Sequence, residues 1–342
     1  MSGHRAPDLS ASRIGTGLDL TAPGKRAGHA RLVWSDNANP LGHRPVPLGV
    51  IVGAAGPTVL LTAGVHGDEY EGPVALTRLF QALEPGAVQG RLILLPALNA
   101  PAVQAAARVS PLDGANLNRA FPGDPDGGPT AMLAHLLETC LMPVADAVID
   151  LHSGGKASWF TPCALAARAE DGRLDPANMA LAAAFAPLIW VLGAQNDDRS
   201  VNGAATRAGL PCIAAELGGG GALGIDALAM AEAGLRGALA HLGVLSGDGL
   251  PPAARAVELA KPAQSVCAPM GGYWAPEVAA GSDVGAGARL GRLLDPLRME
   301  AAPHPVHAPC DGLLLAETRR GLVTPGDFLG LVASDVREGY LR

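Results

Sequence analysis

His66 and Glu69 stand three residues apart within Val59 to Leu76, VLLTAGVHGDEYEGPVAL. Imidazole and carboxylate are metal-ligand types, but two residues cannot close a catalytic metal site, which takes three protein ligands and keeps one position for water. A third ligand type follows another apolar run at His152, in Asp150-Leu151-His152-Ser153-Gly154-Gly155, 86 positions further on. Two His and one Glu suit Zn²⁺, bound at roughly 2.0–2.2 Å in a tetrahedral array. Such a centre lowers the pKa of bound water from about 15.7 towards ~7, which is hydrolytic chemistry. A histidine after a strand also serves as a capping or packing residue, and spacing alone leaves both readings open. Asp68 and Glu71, acids at a helix start, are accounted for by the positive end of that helix without a metal.

The elements that must position these residues follow from the apolar pattern. Val59 to Ala63 is an apolar run that stops at Gly64, and the stretch from Glu71 to Leu83 is helical, with Pro73 tolerated in its first turn. This is strand, loop, helix, which in α/β proteins places polar chemistry at the carboxyl edge of a sheet. Ala30 to Trp34 and Val46 to Val52 read as edge strands. Arg91 to Leu98 and Ala147 to Leu151 read as buried strands, being continuous apolar runs of the kind found in a sheet covered on both faces. Further strands are expected at Leu188 to Leu192 and Cys212 to Leu217, and helices at Thr130 to Leu141, Asn202 to Ala208 and Asp226 to Leu242. Ser110 to Asp126, dense in Gly, Pro, Asn and Asp, is a long loop of the sort kept for function. Strands alternating with helices indicate a parallel or mixed sheet.

Composition bounds the rest. With 342 residues the chain has length for a large domain and a smaller one. Residues 1–28, rich in Gly, Ser, Arg and Pro, read as an N-terminal arm; 29–246 form the α/β domain; and 247–342, after the linker-like Gly247 to Pro252, form an all-β domain. A net charge of −7 with no basic cluster argues against nucleic acid. No signal peptide is visible, and the most apolar late segment, Ala227 to Leu245, carries Glu232, Arg236 and His241, so no membrane span is expected. The five cysteines lack a CxxC pair and read as buried thiols in a reducing compartment, which points to the cytoplasm.

The C-terminal part contains two similar phrases, GYWAPEVAAGSDVGAGARLGRLLDP from Gly272 and VHAPCDGLLLAETRRGLVTPGDFLGLV from Val306. A repeat of such short strands suggests a small β-sandwich or barrel, and it resembles biotinyl/lipoyl-type barrel-sandwich domains. A carrier of that type needs a lysine at its hairpin tip, where this chain has Leu297-Arg298-Met299-Glu300, and Arg298 cannot be acylated in that way.

Four motifs in order, HGDE from His66, NLNRAFPG from Asn116, DLHSGG from Asp150 and ELGGGG from Glu216, resemble the succinylglutamate desuccinylase/aspartoacylase family, relatives of the zinc carboxypeptidases. The phrases GDEYEGPVAL, SPLDGANLNRAFPG and DLHSGGK resemble most closely its N-acetyl-diaminobutyrate deacetylase branch. The resemblance spans roughly residues 45–335 and implies a zinc-carboxypeptidase-like mixed sheet flanked by helices, with one Zn²⁺ per chain on His66, Glu69 and His152. It implies that Glu216 is the catalytic carboxylate and that Asn118 and Arg119 hold the α-carboxylate of an N-acyl amino acid, a task that suits the planar guanidinium fork. Arg108 is the candidate for the oxyanion, although its spacing to Arg119 is longer than in aspartoacylase. Lys156 reads equally as a substrate contact or a solvated loop residue. For the C-terminal domain the family resemblance implies a structural wall or lid over the metal site, with Tyr273, Trp274 and Glu277 as unassigned contributors.

The expected activity is therefore zinc-dependent removal of a short acyl group from a small N-acyl amino acid, such as N-acetyl-diaminobutyrate. Desuccinylase, aspartoacylase and carboxypeptidase activities use the same apparatus and stand as rivals within enzymes. A metal-free binding or carrier protein is the rival of another class. A homo-oligomer is expected by analogy only.

Overall fold

The computed structural model describes residues 4–167, 175–193, 198–247 and 255–336. The first part of the chain contributes β1 (Gly15–Thr16), β2 (Gly24–Val33), β3 (His43–Val52), β4 (Ala54–Ala63), α1 (Glu71–Ala82), β5 (Gln89–Leu95), α2 (Ala100–Gln104), α3 (Pro129–His135) and β6 (Ala147–His152). It continues with β7 (Ser158–Ala167), α4 (Asp175–Phe185), β8 (Leu188–Leu192), α5 (Val201–Ala208), β9 (Cys212–Gly219), α6 (Ile225–His241) and β10 (Arg255–Glu258).

At the centre of the sheet β5, β4, β6 and β9 run parallel, in that spatial order. Antiparallel strands β3 and β7 flank them. Alternate residues of β4 enter different cores: Val59, Leu61 and Ala63 face α1, α4 and α6, whereas Leu60 faces the layer built by α3 and α5. Both faces are thus covered, which is why the central strands read as unbroken apolar runs. Helix α1 turns Ala75, Leu76 and Leu79 to its strands, and fully burying one such leucine is worth about 1.5–3 kcal/mol. Gly72 sets its depth, since a Cβ there would stand 2.7 Å from Leu151 Cβ and 3.0 Å from Ala63 Cβ. The helix lies directly on the ends of β4 and β6, which fixes the loop before it.

Two expectations need correction. The N-terminal segment is not a loose arm: β1 and β2 belong to the sheet, Ile14 and Leu20 are buried, and the fully buried Arg91 donates to the carbonyls of Arg5, Leu20 and Val144 at 3.0, 3.1 and 3.2 Å. Strand β7 and helix α4 have no counterpart in the sequence reading, because CALAA and DPANMALAAAF are alanine-rich runs that local pattern cannot divide between strand and helix. Of the five cysteines expected to be buried, Cys140, Cys163 and Cys212 are, but Cys267 is exposed and Cys310 half-buried.

The C-terminal residues are all-β: β11 (Ser265–Cys267), β12 (Gly272–Pro276), β13 (Asp283–Val284), β14 (Arg289–Leu294), β15 (His304–His307), β16 (Gly312–Thr318), β17 (Leu322–Val323) and β18 (Phe328–Asp335). The two repeated phrases interlock, since β13 of the first pairs with β16 of the second while β17 of the second pairs with β12 of the first. Their side chains enclose a core that includes Val284, Leu290, Val306, Leu314 and Val332. These strands also join the main sheet, β18 through β10 and β16 through β7. The linker expected from Gly247 to Pro252 lies, beyond Gly247, outside the described residues. No helix among the described residues is long and apolar enough to cross a membrane.

Candidate metal centre

Parallel pairing brings the ends of β4, β6 and β9 to one edge. Ala63 pairs with Leu151, Leu151 with Ala215, and His152 with Glu216. The loop after β4 folds back over this edge, so that ligand atoms of His66, Glu69 and His152 lie within 4.8 Å of one another, all three residues buried.

Both histidines turn Nδ1 to the same carboxylate. His66 Nδ1 lies 2.7 Å from Glu69 Oε1 and His152 Nδ1 lies 2.9 Å from Glu69 Oε2, which also accepts the Ser153 N–H at 3.2 Å. The remaining ring nitrogens have their own partners: His66 Nε2 meets Asn116 Oδ1 at 3.1 Å, and His152 Nε2 meets Asp150 Oδ2 at 2.7 Å. Thr62 Oγ1 in turn donates to Asp150 Oδ1 at 2.7 Å. Outer acceptors on Nε2 that leave Nδ1 directed inward are the arrangement found around metal-ligating histidines. A closely spaced, buried set of two nitrogens and one carboxylate fits Zn²⁺.

The electrostatics follow from the same contacts. Burial alone would push the Glu69 carboxyl up, but His152 and His66 outweigh it and hold it at about 2. Burial works against a charge on His152 as well, yet the Asp150 and Glu69 carboxylates raise it well above the usual imidazole value. These carboxylates favour the charged imidazole, so a metal bound to its nitrogen would compete with a proton. Glu216 behaves in the opposite sense: burial first, then the neighbouring Glu69 charge, push it up to about 8. Its Oε2 is shielded and has no hydrogen-bond partner among the described residues.

A cavity of about 470 Å³ opens over this edge, and every site residue expected from the sequence lines it: His66, Glu69, Arg108, Asn118, Arg119, His152 and Glu216. Arg108 stands at its lip, 52% exposed, and donates to Glu69 Oε1 at 3.3 Å. Asn118 Oδ1 accepts the Val201 N–H at 3.0 Å, which ties the loop after α2 to the start of α5. Arg119 Nη1 donates to the Asn118 carbonyl at 2.6 Å. Lys156 turns away, its ammonium donating to the Ala106 carbonyl at 2.6 Å.

The wall contributed by the C-terminal strands is Phe328, at the start of β18, and not the residues expected. Tyr273 is 52% exposed, Trp274 packs on the C-terminal core, and Glu277 pairs with Arg289 and Arg292 at 2.7 and 2.8 Å. Phe328 shares the apolar side of the cavity with Trp190 and Phe160, whose rings stack at 6.2 Å. Sequence reasoning also missed Asp150 and Asn116. Asp150 carried a signal, since residues two apart on a strand share a face, which sets it beside His152. Phe328 carried none, being brought in by pairing between distant strands.

This fold and site define the class. The chain belongs to the succinylglutamate desuccinylase/aspartoacylase family, whose catalytic-domain model matches residues 55–242. Among individual proteins it is 36% identical to the N-alpha-acetyl-L-2,4-diaminobutyric acid deacetylase of Halomonas elongata, over 95% of this chain and 96% of that protein. A product-bound structure of the ectoine utilization protein EutE (DoeB) from Ruegeria pomeroyi superposes with a TM-score of 0.91 at 35% identity, covering 94% of this chain and 99% of the other. A succinylglutamate desuccinylase/aspartoacylase structure from Rhodobacter sphaeroides gives 0.89 at 36% identity, over 95% and 100%.

Proposed function

We propose that the chain is a zinc-dependent hydrolase of N-acyl amino acids, with N-acetyl-diaminobutyrate as its substrate. The observation that carries this reading is the convergence of His66, Glu69 and His152 in a cavity that Glu216 also lines, with a carboxylate oxygen that has no hydrogen-bond partner among the described residues. The N-acetyl substrate is supported by the similarity to the Halomonas elongata deacetylase over nearly the full length of both chains.

Bound to His66, Glu69 and His152, a zinc ion would supply Lewis acidity to the amide carbonyl and to the attacking water. Hydrolysis forms a bond from the water oxygen to the carbonyl carbon and breaks the carbon–nitrogen bond, while a proton passes from the water to the leaving amine. Glu216, whose carboxylate lines the cavity beside the three ligands, accepts that proton and returns it to the leaving amine. Arg108, at the cavity lip beside Glu69, stabilises negative charge developing on the carbonyl oxygen. Arg119, with the Asn118 amide, anchors the substrate carboxylate. Phe328 and Trp190 close the apolar side and exclude water, Phe328 being the part this reading gives to the barrel-sandwich-like C-terminal unit.

The test is amine release from a panel of N-acetyl and N-succinyl amino acids and short peptides, with zinc-loaded and metal-stripped protein. Zinc-dependent turnover of N-acetyl amino acids is expected. Preference for N-succinyl substrates or peptides would move the assignment to a desuccinylase or carboxypeptidase. Failure to take up zinc would remove the enzyme reading.

A further inference from the structure

One acid in the cavity has no part in this chemistry. Asp68 lies between the two ligands of the β4–α1 loop, is 7% exposed and lines the cavity. Its Oδ2 accepts the Lys156 N–H at 3.0 Å, whereas its shielded Oδ1 has no hydrogen-bond partner among the described residues. The neighbouring cations are engaged elsewhere, Lys156 with the Ala106 carbonyl and Arg108 with Glu69. The remaining acids are committed: Glu69 to two imidazoles, Asp150 to Thr62 and His152, and Glu216 to proton transfer. A shielded carboxylate oxygen without a donor is costly, and a donor brought by a bound molecule removes that cost.

The main chain is shaped to keep this oxygen in place. Gly155 adopts φ 56°, and a Cβ there would stand 2.7 Å from Asp68 Oδ2. Any side chain at this position would displace the carboxylate.

We propose that Asp68 is a specificity residue whose Oδ1 receives the side-chain ammonium of an N-acyl diamino acid. This rests on the deacylase reading above and deepens it. The substrate is then read at two points of opposite charge, its carboxylate at Arg119 and its ammonium at Asp68, with the scissile amide between them. Neutral or acidic side chains leave Asp68 unpaired or repelled, so discrimination comes from the penalty as much as from the contact.

The test uses zinc-loaded full-length protein and Asp68→Asn, which keeps an oxygen for the Lys156 N–H but removes the charge. Values of kcat/KM are measured on Nα-acetyl-2,4-diaminobutyrate and on its neutral isostere Nα-acetylnorvaline. The substitution is expected to lower kcat/KM about 10- to 100-fold on the cationic substrate, chiefly through KM, and to leave the isostere nearly unchanged. Equal losses on both substrates, or an unaltered preference, would overturn the proposal. Calorimetric binding of free 2,4-diaminobutyrate separates the two readings. If wild type cleaves neither substrate but binds the diamino acid while Asp68→Asn does not, the deacylase reading fails and Asp68 stands. Absent binding, or equal binding by both proteins, overturns Asp68.

Discussion

His152 and Glu216 are direct register partners on the adjacent parallel strands β6 and β9. A proposed metal ligand and the proposed proton carrier are thus held by one backbone ladder. Replacing Glu216 by Gln keeps the shape and removes the proton acceptor. The expected result is a fall in kcat of about 10²–10⁴-fold with zinc content unchanged, read by steady-state assay and elemental analysis on the same sample.

Asp150 acts through His152. In Asp150→Asn, the Nε2 partner no longer offers a carboxylate, and the tautomer that directs the Nδ1 lone pair inward loses its support. Zinc affinity should weaken about 10–100-fold, measured by competition with a chromophoric chelator. Unchanged affinity would show that Asp150 serves only the sheet.

Metal-free protein should show a pH-dependent stability that Glu216 dominates below neutrality. Its carboxyl titrates near 4.5 when unfolded and at about 8 when folded. Between those values the unfolded chain has released a proton that the folded chain keeps, so stability falls as pH rises through the window. His152, raised above its ordinary 6.5, adds a loss of the same sign only beyond that pH. Urea midpoints of chelator-treated protein should decline from pH 4.5 upward, and Glu216→Gln should flatten the decline between 4.5 and 6.5.

Arg91 lies at the opposite edge of the sheet from the metal centre, beside Thr58 where β4 is entering the core. Arg91→Met would strand the carbonyls of Arg5, Leu20 and Val144. A destabilisation of more than about 3 kcal/mol is expected from several buried acceptors left without donors. Denaturant titration measures it, while zinc affinity of the folded fraction stays at the wild-type value.

The central strands and the site were legible for a common reason. Continuous apolar runs before His66 and His152 mark strands buried on both faces, and parallel strands must bring those ends together, whereas Glu216 was reached through the family motif. The roles proposed for Arg108 and Arg119 likewise rest on the family motifs, since Arg108 sits on a loop and Arg119 on a single 3-10 turn whose path no periodicity encodes. The segment before Gly24 reads as an arm because its composition is that of loops, while a feature that holds it, the Arg91 guanidinium, lies far away in sequence. Phe328 escaped for the same reason, its neighbours being set by strand pairing.

That pairing carries a consequence for how the molecule comes apart. Because β10 is bonded to β8 and β16 to β7, the two halves have no clean seam. Cutting the chain after Ser246 would strip partners from β7 and β8 and turn an interior stretch of sheet into raw edges, the surface on which other strands nucleate aggregation. The catalytic half and its wall should therefore melt as one cooperative unit, and the former should not survive as an isolated fragment.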